Sequence, residues 1–495
     1  MGDPAACYRA LVSHDARFDG RLFIGVRTTR IYCRPVCRVR TPHLENCTFH
    51  PSAAAAEDAG FRPCLKCRPE LAPGFAPVDA RSRLAHRAAR LMVSDALDGG
   101  IEEIANQLGV TSRQLRRSFE QEYGVAPVRF LLTLRLLMAK ALLTDTELAI
   151  TDIAFAAGFG SIRRFNETFH KHYRMAPSHF RQQLESRIGQ RDTMPDAITV
   201  LTGYRGPLDW EWLLGFIGAR TIAGIDAVSE GSYRRAVRLV NDGKVCSGHI
   251  AVSPADGKDA LAVNVSTSLL PVLPAVLMRV RALFDLDCEP SAVHDHLRVM
   301  DEVVPGSNTL GVRVPGAFDS FEMAVRAILG QQVTVKAART LANRMAETLG
   351  ESVENPVAGL TRVFPSAETI AALPGPVEDA LGPLGVTGSR ARAIRALAEA
   401  VATGAIELSP SAEVAVTMER LLALPGIGPW TAHYLAMRAL AWPDAFPHTD
   451  YGVKLAFTQA LGPGADVSPK RILEIAEAWK PWRAYATMNL WRSLS

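Results

Sequence analysis

The chain has 495 residues, too many for one hydrophobic core, and at about 150 residues per domain it predicts roughly three folding units. With 48% hydrophobic and 21% charged residues it is neither disordered nor collagen-like, and its longest apolar stretch, Leu269 to Met278, is broken by Pro271 and Pro274, which excludes a membrane helix there. The formal net charge of +4 is uneven: residues 1–190 carry 27 Lys/Arg against 19 Asp/Glu (+8), and residues 191–495 carry 28 against 32 (−4).

Arginine far outnumbers lysine in the basic part, and its planar guanidinium fork matches phosphate oxygens, so a phosphate-bearing partner is expected there. The opening Met1-Gly2-Asp3-Pro4 lacks the basic-then-apolar pattern of a secretion signal, which predicts a cytoplasmic location and cysteines that serve as thiols or metal ligands. Composition divides the chain into a cysteine-rich unit (1–78), an all-α unit (81–184), a polar linker (185–197), an α+β lobe (198–310) and a helical region with Pro/Gly turns (311–495). Helical spacing is kept by Leu84, Ala88 and Leu91 and by Leu131, Leu134 and Met138, whereas Ile198–Leu201 and Ala260–Val265 read as strands. The expected architecture is multidomain and mainly α.

In the first unit Cys33 and Cys37 form a C-x3-C pair and Cys64 and Cys67 a C-x2-C pair, with a loop long enough to bring both to one tetrahedral ion. Four thiolates suit one Zn²⁺. A purely structural staple is the simplest reading, because a unit under about 80 residues has difficulty burying enough core alone. The flanks, Arg27-Thr28-Thr29-Arg30-Ile31-Tyr32 before Cys33, Arg34-Pro35-Val36 before Cys37, and Gly60-Phe61-Arg62-Pro63 before Cys64, resemble the N-terminal domain of the Ada methylation-response proteins. That resemblance implies that Cys33 accepts a methyl group from a DNA methylphosphotriester while the other three sulfurs hold the ion. Charge would supply a switch: Zn²⁺ with four thiolates sums to −2, one methylation leaves −1, and repulsion from DNA phosphate weakens. Cys7, Cys47, Cys246 and Cys288 have no motif partners and are expected as buried thiols.

The second unit holds an internal repeat. Ile101/Ile150, Ile104/Ile153, Ala105/Ala154, Gly109/Gly158 and Ser112/Ser161 pair at an offset of 49, and Phe119/Phe169, Tyr123/Tyr173 and Pro127/Pro177 pair at 50 after one insertion. Each copy reads as helix, Gly turn and capped helix, the grammar of a helix-turn-helix, with Ser112 and Ser161 as the expected caps. A helical protein-interaction module is the rival reading. The run Ala157-Gly158-Phe159-Gly160-Ser161, followed by Arg164-Phe165-Asn166 and Ala176-Pro177, resembles the AraC-type regulators, which place two such motifs in one domain. Double-stranded promoter DNA is the implied partner, with Arg113, Arg117, Arg163 and Asn166 as candidate base contacts and RNA polymerase as the further partner of an activator.

Near the C-terminus, Leu424-Pro425-Gly426-Ile427-Gly428 between two helical patterns reads as a helix-hairpin-helix, in which Gly426 and Gly428 leave backbone amides free to hold a DNA phosphate without reading sequence. Twenty residues past Trp430 lies His448-Thr449-Asp450-Tyr451-Gly452. Asp450 could merely cap the following helix. Its placement after such a hairpin resembles the catalytic residue of the helix-hairpin-helix DNA glycosylases, AlkA 3-methyladenine branch, and the likeness spans residues 198–495 through Asp209–Phe216, Phe321–Gln331 and Trp479–Ala486.

The resemblance implies an everted alkylated base received by Phe216, Trp430, Tyr434, Tyr451 and Trp491, whose electron-rich faces attract a cationic purine. Trp430 stands where glycosylases with lyase activity hold Lys, so a monofunctional enzyme needing no cofactor is expected. Gln332 stands where AlkA-like enzymes place an apolar wedge, and the iron–sulfur cysteines of some relatives are missing. The Pro-Cys-His-Arg acceptor of the Ada methylguanine domain is also absent. The expectation is a fused methyl sensor, tandem DNA reader and glycosylase acting on alkylated DNA. The alternative is a DNA-binding regulator with an inactive glycosylase half and a purely structural zinc.

Overall fold

The computed structural model describes residues 3–74, 83–94, 100–188, 196–241, 243–357 and 359–494. These fall into two compact units. One comprises Met1–Arg205, Leu239–Met278 and Leu286–Cys288; the other comprises Gly206–Arg238, Arg279–Asp285 and Glu289–Ser495.

The first unit opens with a four-stranded sheet in the order Cys47–His50, Phe23–Val26, Ile31–Cys33, Arg62–Pro63. Alternation along Phe23–Val26 divides its core: Ile24 packs with Ala10, Leu11, Leu22 and Cys47, and Phe23 packs with Tyr32, Ala56 and Phe61. Both clusters are small, as expected of a module that relies on a metal. Cys47 is buried and Cys7 half-buried, whereas Cys246 and Cys288 are buried elsewhere in the unit.

Among the described residues seven helices follow, from Arg83–Ser94 to Pro177–Ile188. The repeat is visible in three dimensions. Phe119, Tyr123 and Phe130 form one ring cluster with centroids 4.5–5.1 Å apart, and Phe169, Tyr173 and Phe180 form its counterpart. Gly109 and Gly158 take the left-handed conformation their turns require, at φ 67° and 80°.

One cap differs from expectation. Thr111, not Ser112, caps Ser112–Tyr123 by accepting from the Gln114 amide (3.2 Å), while Ser161 caps Ile162–Tyr173 as expected. The two caps are 50 residues apart, so the inserted residue lies in the turn after Gly158, and either hydroxyl satisfies the exposed amides. The linker expectation is corrected at both ends: residues 185–188 finish the helix Pro177–Ile188, Ala197 opens the strand Ala197–Gly203, and 189–195 lie outside the described residues.

The long helix Pro127–Asp145 joins the two copies and is buried on several faces. Leu131 and Leu134 of the expected stripe pack on the core of the first copy. Another face is polar and equally buried: Thr133 donates to Glu57 Oε2 (3.0 Å), and Lys140, 1% exposed, pairs with Glu70. Burial pushes the Glu57 carboxyl up to about 7, against the hydrogen bonds from Thr133 and Tyr32 and the charge of Lys140.

A carboxyl raised in this way adds stability below its unfolded value of 4.5 and loses it as pH rises through the folded value. The shift corresponds to about 3 kcal/mol between pH 4.5 and 8. Urea unfolding of this unit should therefore show a midpoint that falls across that window, and the fall should be smaller in Glu57→Gln. The comparison separates Glu57 from His172, whose burial-lowered ring acts in the opposite sense.

The first unit also holds Ala197–Gly203, Ala260–Ser266 and Lys244–Pro254, paired antiparallel in that order, with Ile198 opposite Val265 and Val252 opposite Val263. In the second unit an antiparallel hairpin pairs Asp226 with Arg235 and Ser229 with Ser232. The helix Ser320–Leu329 is the centre of that unit's core and packs with Ile394, Leu397, Leu421, Ile427 and Leu435 from later helices. Its buried Glu322 is held by Arg235 and Arg326, which compensates the charge. A short hairpin, Glu351–Val357 with Leu360–Val363, interrupts the helical region expected to be all-α. Among the described residues no helix is long and apolar enough to cross a membrane.

Candidate functional site

The cysteine quartet is assembled by the sheet. Ile31–Cys33 pairs in parallel with Arg62–Pro63, and the Cys64 amide donates to the Tyr32 carbonyl (3.0 Å), which brings the two Cys pairs together. The four Sγ atoms lie within 4.8 Å of one another, with Cys33, Cys37 and Cys64 buried and Cys67 half-buried. Soft donors at that spacing fit one Zn²⁺. Hydrogen bonding to Cys37, then to Cys64 and Cys67, together with burial, holds the Cys33 thiol above its ordinary value. Backbone amides of Arg34 and Lys66 donate to the sulfurs of Cys67 and Cys64 (both 3.4 Å). Arg27, Arg30, Arg38 and Arg40, on the segment around Cys33, are exposed.

Arg113 and Arg117 on Ser112–Tyr123, and Arg163 and Asn166 on Ile162–Tyr173, are all exposed, while Leu115, Phe119, Phe165 and Phe169 on the opposite faces are buried. Arg163 is paired with Glu167 at 2.9 Å.

In the second unit the loop Leu424–Gly428 links the helices Val414–Leu422 and Pro429–Arg438. Ile427 is the buried anchor, and Gly426 sits at φ 76° with its would-be Cβ 3.0 Å from the Ala393 side chain. Gly428 is exposed with open space around it, at the N-cap of Pro429–Arg438. Gln331 braces this loop: its Nε2 donates to the Gly426 carbonyl (2.9 Å) and Thr431 Oγ1 (3.0 Å). Gln332 beside it is exposed, in the left-handed region at φ 55°.

Asp450 does cap Tyr451–Leu461, with Oδ1 accepting from the Gly452 (2.8 Å) and Val453 (3.2 Å) amides. It does more. The same oxygen accepts from Trp491 Nε1 (2.9 Å), and Oδ2 accepts from Trp430 Nε1 (2.9 Å), so four N–H groups hold one half-buried carboxylate. The rings continue outward: Trp430 stacks on Tyr434 at 5.3 Å, Tyr434 lies 6.3 Å from Trp491, and Trp491 is parallel to Phe216 at 6.0 Å. Four of the five expected aromatics are thus brought together. Tyr451 is 79% exposed and stands outside this cluster.

Sequence reasoning missed three contributors. Arg220 lies 3.7 Å over Phe216, lowered by burial to about 10 and still cationic at neutral pH. Arg438 donates to Tyr434 Oη (2.8 Å). Gly452 leaves room for an indole, since a Cβ there would lie 2.8 Å from Trp491 Cδ1 and 3.1 Å from Asp450 Oδ1. The short Asp450-x-Gly452 spacing was the available signal for the last.

A phosphate-open hairpin, a carboxylate gripped by two indoles and an aromatic cage define a helix-hairpin-helix base-excision protein, here carried with a four-cysteine metal module and a tandem helix-turn-helix. Residues 6–70 match the metal binding domain of Ada, 104–183 a helix-turn-helix domain, 199–319 the AlkA N-terminal domain, and 325–484 the HhH-GPD superfamily of base excision DNA repair proteins. Over 492 residues, 99% of this chain and 96% of the relative, it is 38% identical to the probable bifunctional transcriptional activator/DNA repair enzyme AlkA of Mycobacterium tuberculosis. The chain belongs to that bifunctional Ada/AlkA family. It is also 35% identical over 288 residues, 58% of this chain and 95% of the relative, to DNA-3-methyladenine glycosylase 2 of Escherichia coli. The solved 3-methyladenine DNA-glycosylase from Archaeoglobus fulgidus aligns with a TM-score of 0.46 at 22% identity, covering 59% of this chain and 96% of its own.

Proposed function

We propose that the C-terminal region hydrolyses the N-glycosidic bond of alkylated bases such as 3-methyladenine, and that the N-terminal region is a single-turnover methyl acceptor joined to a promoter reader. The observation that carries the first part is the Asp450 carboxylate fixed by Trp430, Trp491 and two helix amides beside an aromatic cage. As the bond from sugar carbon to base nitrogen breaks, its electron pair leaves with the base and positive charge develops on the sugar. A held carboxylate stabilises that charge without reorganising. Because both oxygens are engaged, Asp450 has little freedom to swing toward a water, which favours a fixed counter-charge over a general base. Water then adds to the sugar carbon and releases a proton to solvent. Trp430 has no amine, so no Schiff base forms there.

Phe216, Trp430, Tyr434 and Trp491 are the base-binding set; Gly426, Gly428 and Gln332 meet the DNA. Gly452→Ala should press Trp491 away from Asp450 and lower base release about tenfold or more while the protein stays folded, a loss of about 1–3 kcal/mol in stability. Single-turnover base release alongside an unfolding curve measures both.

In the metal module Cys33 Sγ attacks the methyl carbon of a methylphosphotriester. A sulfur–carbon bond forms, the carbon–oxygen bond breaks, and its electron pair stays on the phosphate, restoring the diester. Bound Zn²⁺ would keep the four sulfurs ionised. The match of residues 6–70 to the metal binding domain of Ada supports Cys33 as the acceptor. Arg113, Arg117, Arg163 and Asn166 read promoter DNA, and activation implies contact with RNA polymerase in the cytoplasm. The division into 1–78, 81–184, 198–310 and 311–495 belongs to this proposal. Intact-protein mass after incubation with methylphosphotriester DNA should rise by one methyl group; an unmodified Cys33 would remove the sensor role.

A further inference from the structure

The residues flanking the cysteine quartet leave the metal module. Tyr32, just before Cys33, is fully buried, and its hydroxyl donates to Glu57 Oε1 (3.1 Å). The other oxygen of Glu57 accepts from Thr133 (3.0 Å) and lies 3.7 Å from His172 Nδ1. Arg68, just after Cys67, takes the left-handed conformation at φ 51°, and its side chain is largely buried in ion pairs. Its two Nη atoms donate to Asp145 (2.7 and 2.6 Å) and its Nε to Glu70 (2.9 Å), whose second oxygen holds Lys140. Ser52 Oγ adds a bond to the Tyr123 carbonyl (2.7 Å).

These connections converge. Thr133, Lys140 and Asp145 all belong to Pro127–Asp145, the helix that joins the two helix-turn-helix copies; Tyr123 and His172 stand at the last turns of the two recognition helices. A non-glycine residue in the left-handed region persists only where its surroundings over-determine it, and Arg68 is held there by three charge-assisted bonds. Buried ionic groups such as Glu70 and Lys140 fix geometry strictly, because any arrangement that parts them leaves a charge without compensation.

We infer that the metal module and the tandem reader are one conformational unit, in which the state of the cysteine quartet is passed to the helix that joins the two recognition helices, through Tyr32–Glu57–Thr133 and Arg68–Asp145. The inference rests on the quartet as a metal site; its use in signalling rests on the proposed acceptor role of Cys33. The wires start one bond from a ligand at each side of the quartet, so a ligand that moves or changes charge displaces the start of a path ending on the joining helix.

Hydrogen exchange on the full chain, before and after stripping zinc with a chelator, tests this. The amides of 127–145 should lose protection about tenfold on chelation and recover when Zn²⁺ is returned. In the double variant Tyr32→Phe, Arg68→Gly, the bonds from Arg68 to both Asp145 and Glu70 are lost together with the Tyr32 bond to Glu57, and the reader should keep its fold while its protection no longer follows zinc. Unchanged protection of 127–145 in the native chain would overturn the inference. So would an equal zinc response in the double variant, since packing alone would then carry it. A parallel arm uses methyl iodide, which transfers its methyl to sulfur and releases iodide. A methyl on Cys33 with altered exchange in 127–145 extends the coupling to the methylated state. If mass shows no methyl on Cys33, the acceptor reading falls, and the chelation arm still decides the wiring.

Discussion

Replacing Asp450 by Asn should lower base release from alkylated DNA about 10²- to 10³-fold, the usual cost of removing one preorganised electrostatic partner of a transition state. Asn keeps the cap, because its side-chain oxygen still accepts from the Gly452 and Val453 amides, so folding should be nearly unchanged. What disappears is the negative charge. Its amide nitrogen would also face one indole N–H as donor against donor, so Trp430 or Trp491 would lose its anchor. Binding of damaged duplex should weaken far less than the rate, because the hairpin grip at Gly426 and Gly428 does not involve this side chain. A variant that loses binding and rate together would place Asp450 in the architecture and not in the chemistry.

The second large effect concerns the quartet. Cys64→Ala should lose the metal and with it the fold of the small sheet, since the two clusters around Ile24 and Phe23 are too limited to hold it. Cys33→Ser should abolish methyl uptake completely, because an alcohol in this position does not ionise as a thiolate does. Metal content, circular dichroism and intact mass separate the outcomes. A Cys33→Ser protein that still gains one methyl on another cysteine would move the acceptor role elsewhere in the quartet.

Much of the site was legible because its chemistry lies in short local motifs. The pairs Cys33/Cys37 and Cys64/Cys67 are spaced like metal ligands whatever the fold around them, and Leu424–Gly428 carries its turn in its own glycines. Asp450 was legible from its distance to that loop. Trp430 and Trp491 were read as stacking surfaces, and their second role as hydrogen-bond donors to Asp450 was not visible. That role depends on approach between residues 20 and 41 positions away in the chain, which no periodicity encodes. Tyr451 shows the reverse: the family resemblance implied a pocket wall, yet the residue opens a capped helix and is 79% exposed.

The fold was legible where one face is buried and less so elsewhere. Ile198–Leu201 and Ala260–Val265 were read as strands, and the structure pairs them, whereas Ser232–Asn241 and Lys244–Pro254 mix charged and apolar residues too loosely to stand out. The helix Pro127–Asp145 showed its apolar stripe in sequence, whereas the burial of Thr133 and Lys140 depends on Glu57 and Glu70, 76 and 70 positions away in the chain.

The most direct measurement of the central claim is chromatographic detection of free base from duplex DNA carrying 3-methyladenine, incubated with the full chain in metal-free buffer containing a chelator. The account predicts that 3-methyladenine is released and an abasic strand remains uncut, because the carboxylate and its aromatic cage need no cofactor and Trp430 offers no amine. Intact duplex with no free base, from protein that demonstrably binds it, would contradict the account.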